Sequence, residues 1–192
     1  MKHLGDIRNI NGYAIEIPDI VCGGSPCQDL SVANGKRTGF EGERSGLFRE
    51  YIRVVKELRD NCARSLRTDD IGFVKPRYMV LENVPGLYSS NQGKDFQICL
   101  SEIIRIVQPD APDVPMPIRG GWNKAGWLSG VGTSGSPFSV AWRLHDAQYW
   151  NVPQRRKRVC VLADFGGLTA PTILFDSELR GISDGGENIR VE

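Results

Sequence analysis

Histidine is nearly missing from these 192 residues: His3 and His145 are the only two. The five cysteines, at 22, 27, 62, 99 and 160, carry no zinc-knuckle spacing, and no second Cys or His pair completes a set of four ligands, so no metal site is expected. Their odd number and unpaired spread also exclude a disulfide framework and point to reduced thiols and a cytoplasmic location. No stretch approaches the roughly 20 apolar residues of a membrane span, and Met1-Lys2-His3 runs into polar sequence without an apolar signal core. A charge excess is lacking too. Twenty-four Lys+Arg against 23 Asp+Glu leave a net +1, so any polyanionic partner has to be met by a local patch. What is present is a 40% hydrophobic chain with four tryptophans, enough for one globular domain with a real core.

Short apolar runs alternate with helical patterns, the mark of an α/β fold with a mostly parallel sheet. Asp19 to Cys22 reads as a buried strand that stops at Gly23-Gly24. From Leu47, apolar residues at 47, 48, 51, 55, 58 and 62 recur at helical steps between basic ones. Tyr78 to Leu81 is a second buried strand ending at Glu82-Asn83, with Pro85-Gly86 as its turn; Phe96, Cys99, Ile103 and Val107 mark a second helix. Between Pro109 and Pro137, further prolines and many glycines predict a long irregular surface loop. Ser139–Tyr149 and Arg158–Ala163 read as partner strands, and Thr172–Phe175 as a short strand.

The chemistry gathers at strand ends, where ligands bind in open α/β sheets. Cys27 follows Gly23-Gly24-Ser25-Pro26, a stretch too irregular for a core, which makes its thiol a candidate nucleophile beside the commoner fate of an inert buried cysteine. Glu82 closes an apolar strand, so its carboxylate needs a partner or a raised pKa; a salt-bridged glutamate is the plainer alternative. Gln154, Arg156 and Arg158 are spaced to share one face of an extended chain, with Arg155 and Lys157 on the other. A cleft with phosphates behind it, or a solvated edge strand, would both produce that run.

Taken together and in order, Pro26-Cys27-Gln28, Glu82-Asn83-Val84 and Gln154-Arg155-Arg156-Lys157-Arg158 resemble the three signature motifs of DNA (cytosine-5)-methyltransferases. The resemblance extends to Gly35–Phe40, Arg44–Phe48 and Asp146–Pro153, and so covers about residues 5 to 165. It implies a Rossmann-like, S-adenosylmethionine-dependent α/β fold acting on double-stranded DNA. In such a fold Cys27 adds to C6 of a flipped-out cytosine, Glu82 binds its N3 and amino side, and Arg158, helped by Arg156, binds O2. It further implies that Gln28 to Phe40 form a closing loop, with Ser31, Lys36 and Arg44 available to phosphates and Gln154 also at the DNA.

On the cofactor side, Gly5-Asp6-Ile7 resembles the family's third motif, in which the acidic residue meets the adenine amino group, and Pro26 and Leu47 stand at pocket-lining positions. The family's Gly-rich first motif and its ribose-binding acid are expected before Met1, and its target-recognition region after residue 165. The expectation is therefore a partial catalytic domain over 1–165 and the start of a linker or recognition region over 166–192. A complementing polypeptide, or a catalytically inactive remnant, follows as the alternative to a longer native enzyme. A thiol hydrolase using Cys27 and His145 is the reading from a different class.

Overall fold

A computed structural model describes residues 3–24, 46–66, 74–118, 121–151 and 153–175, with the backbone of 187–190. Its elements are β1 (Ile20–Gly23), α1 (Gly46–Ser65), β2 (Tyr78–Asn83), α2 (Lys94–Ile104), β3 (Ala125–Val131), β4 (Pro137–Asp146), β5 (Lys157–Asp164), α3 (Ala170–Phe175) and β6 (Glu187–Arg190). The six strands form one sheet in the order β1-β2-β5-β4-β3-β6.

The α/β class is as expected, but the sheet is mixed rather than mostly parallel. β1–β2 and β3–β6 are parallel, whereas β2–β5, β5–β4 and β4–β3 are antiparallel. The cause is local: β3 and β4 form a hairpin closed by Gly132 N–H to Ser136 O, and β5 returns against β4 after a short excursion.

Helical spacing puts Phe48, Tyr51, Ile52, Val55, Leu58 and Cys62 of α1 on one buried stripe. That stripe and α2 cover one face of the sheet, where Met79, Leu81, Val140, Val159 and Val161 point inward. Phe96, Trp122 and Trp142 meet edge to face at the centre, with centroids 5.0 to 6.0 Å apart, the preferred aromatic geometry. The other face is thinner: Ala141, Leu162 and Ala170 are buried, flanked by Tyr78, Val80, Trp127, Leu174 and Phe175.

Three further expectations are corrected. The first strand forms but is not buried, because β1 is the edge of the described sheet; Ile20 is 52% exposed. The segment from Pro109 to Pro137 is not irregular throughout, since β3 lies within it. Two of its glycines stand across from aromatic residues: Gly126 pairs with Trp142 and Gly130 with Phe138, and a Cβ would lie 2.4 and 2.8 Å, respectively, from the facing ring. They are strand positions vacated for rings, not strand breakers. Thr172–Phe175 belongs to α3 rather than to a strand; its first residue, Ala170, is anchored by its N–H to Ser139 Oγ.

Candidate active site

Strand directions bring the signature residues to one end of the sheet. The carboxyl ends of β1, β2 and β4 and the amino end of β5 lie together there. β1 delivers Gly24, β2 delivers Glu82, β5 delivers Arg158, and β4 delivers His145 and Asp146.

Glu82 and Arg158 form an ion pair, Arg158 Nε to Glu82 Oε1 at 2.5 Å. Of the two ways out that an apolar strand leaves a carboxylate, the structure supplies a partner. The pair is half open, with the Glu82 and Arg158 side chains 48% and 30% exposed to solvent. The guanidinium is steadied by a further bond from Nη1 to Lys157 O at 2.8 Å. β5 lies between β2 and β4, which overturns the edge-strand reading of the basic run. Only from Lys157 on is that run in a strand; Gln154, Arg155 and Arg156 precede it and are exposed. Arg156 is placed by its backbone, its N–H bonded to Asp146 Oδ1 and its carbonyl accepting from Ala147 N–H.

Gly24 backs directly onto Glu82. A Cβ there would lie 3.1 Å from both Glu82 O and Oε2, so the backbone of Gly24 lies close against the carboxylate. Tyr51 of α1 holds this corner together: its hydroxyl lies 2.9 Å from both Val21 O and Val80 O, bridging β1 and β2. Burial pushes its phenol well above the ordinary range. Sequence reasoning treats Tyr51 as core and Gly24 as loop; the repeated Gly23-Gly24 at a strand end was the available signal for a close approach. Cys27, Pro26, Gln28, Ser31, Lys36 and Arg44 lie outside the described residues.

Two neighbours complete the corner. Cys160 faces Glu82 across the β2–β5 ladder, and burial, then the charges of Cys22 and Glu82, push its thiol pKa up. His145 faces Arg158 across the β4–β5 ladder; burial, then Arg143, lowers its pKa and favours the neutral ring.

Asp6 begins a short 3-10 turn over Ile7–Asn9, and the segment is tied to α1 by Arg53, which donates to Ile7 O and Ile10 O at 3.1 and 2.9 Å. Hydrogen bonds from the Arg8 side chain and backbone bring the Asp6 pKa down to about 2, so the carboxylate is ionised and faces solvent. Both oxygens of that carboxylate accept from the Arg8 guanidinium, and Ile7 beside it packs against the core. Leu47, half-buried on the first turn of α1, offers an apolar side chain.

A family model described as C-5 cytosine-specific DNA methylase matches residues 1–106. A protein of Escherichia phage P1 named DNA N-6-adenine-methyltransferase is 34% identical over 197 residues, 93% of this chain and 24% of that protein. The orphan methyltransferase M.Rho11sI of Bacillus phage rho11s is 29% identical over 83% of this chain and 22% of its own length. The type II methyltransferase M.HhaI of Haemophilus parahaemolyticus is 33% identical over 50% of this chain and 24% of its own. The chain spans about a quarter of the length of these relatives.

Proposed function

Because this chain belongs to the C-5 cytosine-specific DNA methylase family, we propose that it provides the base-binding half of a reaction that methylates C5 of cytosine in DNA. The observation that carries the reading is the Glu82–Arg158 pair, standing at the sheet end where Gly24, just past β1, lies close against Glu82. Cys27 is three residues beyond Gly24, a chain reach of at most about 11 Å.

C5 of cytosine is a poor nucleophile inside an aromatic ring and is hidden in the stacked duplex, so the base has to leave the stack. The Cys27 thiolate then bonds to C6, and the C5–C6 electron pair is released toward C5. Glu82 binds the N3 and amino side of the ring, and Arg158 stabilises charge on O2; the ion pair parts around the base, each partner exchanging the other for it. S-adenosylmethionine supplies the methyl group to C5 when bound, with Asp6, Ile7, Pro26 and Leu47 the residues of this chain that would hold it. Loss of the C5 proton and release of Cys27 restore the double bond, returning the thiolate and the aromatic ring.

The name of the phage P1 relative points to a different atom, the exocyclic N6 of adenine. An amino group methylated directly requires no thiol adduct at C6, and the Cys27, Glu82 and Arg158 set answers to the cytosine ring. The match also leaves about three quarters of that protein outside it.

The test is transfer of labelled methyl groups to DNA by the native-length protein, followed by digestion to nucleosides. Label in 5-methylcytosine, with a covalent DNA adduct on 5-fluorocytosine substrates that Cys27→Ser abolishes, is the expected result. Label in N6-methyladenine, or undiminished transfer by Cys27→Ser, would overturn the reading.

A further inference from the structure

The excursion between β4 and β5 carries residues that the proposed chemistry leaves unused. Tyr149 and Trp150 stand 80% and 57% exposed, while Trp122 and Trp142 are buried and Trp127 packs on the second core. Their exposure is built in. The neck of the excursion is closed by Ala147 N–H to Arg156 O at 3.0 Å and by Arg156 N–H to Asp146 Oδ1 at 3.2 Å. Asp146, buried, also accepts from the Gln148 backbone N–H and from its Nε2. Asn151 reverses the chain with φ of 60°. At the tip, the Trp150 ring leans over His145 with centroids 5.8 Å apart, and His145 is the ladder partner of Arg158.

Two adjacent rings held in water by a clasped turn lie one ladder pair away from the Glu82–Arg158 pair. Arg155, Arg156 and Lys157 follow, all exposed and without an ion pair among the described residues. Aromatic faces next to unneutralised cations match a base flanked by phosphates better than they match an apolar protein surface, which would leave the cations unpaired. We propose that Tyr149 and Trp150 pack on a base face of the DNA beside the target cytosine, where removal of that cytosine interrupts the stack, and that Arg155 and Lys157 neutralise the adjoining phosphates. The inference rests on the methyl-transfer reading and adds to it a surface that grips the substrate.

The test uses the full chain and a short cytosine-containing duplex, with affinity measured across a salt series. Tyr149→Ala/Trp150→Ala is expected to weaken binding about 5- to 150-fold with the salt slope unchanged, because stacking releases no counterions. Arg155→Ala/Lys157→Ala is expected to flatten the slope by about two. Quenching of tryptophan fluorescence on DNA addition, stronger on a duplex with an abasic site at the target and lost in Trp150→Leu, reports the contact directly. Near-UV circular dichroism verifies that each variant keeps its core. Unchanged affinity in the aromatic variant overturns the inference, as does a wild-type chain that does not bind DNA. Failure of 5-fluorocytosine trapping with aromatic-dependent binding intact counts against the methyl-transfer reading alone.

Discussion

Arg77 and Asp164 sit 87 residues apart in sequence and meet in two parallel bonds, Nε to Oδ1 at 2.8 Å and Nη2 to Oδ2 at 3.0 Å. The carboxylate is fully buried and also accepts from Gly166 N–H, Thr169 N–H and Thr169 Oγ1. One side chain thereby fixes the start of β2, the end of β5 and the turn into α3.

Stability should therefore depend on acid through this group. Burial alone would raise the Asp164 pKa, but the Arg77 and Thr169 hydrogen bonds outweigh it and the net direction is down. A carboxyl lowered on folding contributes stability above its unfolded pKa, near 4, and that contribution is lost as pH falls through the lower folded value. Urea midpoints should fall below about pH 4, less steeply in Asp164→Asn, which also loses about 2 kcal/mol at neutral pH. Parallel pH profiles for the two proteins would remove Asp164 from this role.

The Glu82–Arg158 pair should behave in the opposite way. Being half exposed, it is worth no more than about 1 kcal/mol to folding. Glu82→Gln and Arg158→Ala are expected to melt close to wild type while methyl transfer by the native-length protein drops about 100-fold or more. Large melting shifts in both variants would make the pair a structural one.

Gly126 should refuse even a methyl group. Gly126→Ala pushes a Cβ into the Trp142 ring and is expected to cost about 1–3 kcal/mol in denaturant unfolding. Trp142→Leu in the same background should recover part of that loss, so a double-mutant cycle reads a coupling between them. Additive effects would mean that the ring swings aside at no cost.

Tyr51→Phe tests the brace under the site. Loss of the hydroxyl that reaches Val21 O and Val80 O is expected to cost about 1 kcal/mol. Amide exchange in β1 should accelerate more than in β4. Equal changes in both strands would show the hydroxyl to have no local effect.

Much of this was legible in the chain. Periodic spacing exposed α1 from Leu47 onward, and the apolar run at Tyr78–Leu81 exposed β2, because burial of one face dictates those patterns. β3 was hidden because Gly126 and Gly130 look like breakers until Trp142 and Phe138 are placed across from them. The same limit concealed α3, whose few apolar residues carry no period long enough to separate helix from strand. At the site, motif order marked Glu82 and Arg158 but not their direct pairing, which depends on β5 returning antiparallel to β2. Tyr149 and Trp150 carried no signal of exposure, since aromatic residues in a sequence read first as core.

Strand order also sets a schedule. β5 lies between β2 and β4 but follows both in the chain, so without β5 no strand pairing joins the β1–β2 pair to the β3–β4 hairpin. Joining them requires closing a loop from β2 to β5, a slow, long-range step in folding kinetics. Arg158 travels on the joining strand. Glu82 thus gains its partner only when the two halves of the sheet are united, and a chain stalled before β5 would hold most of its helices and no assembled site.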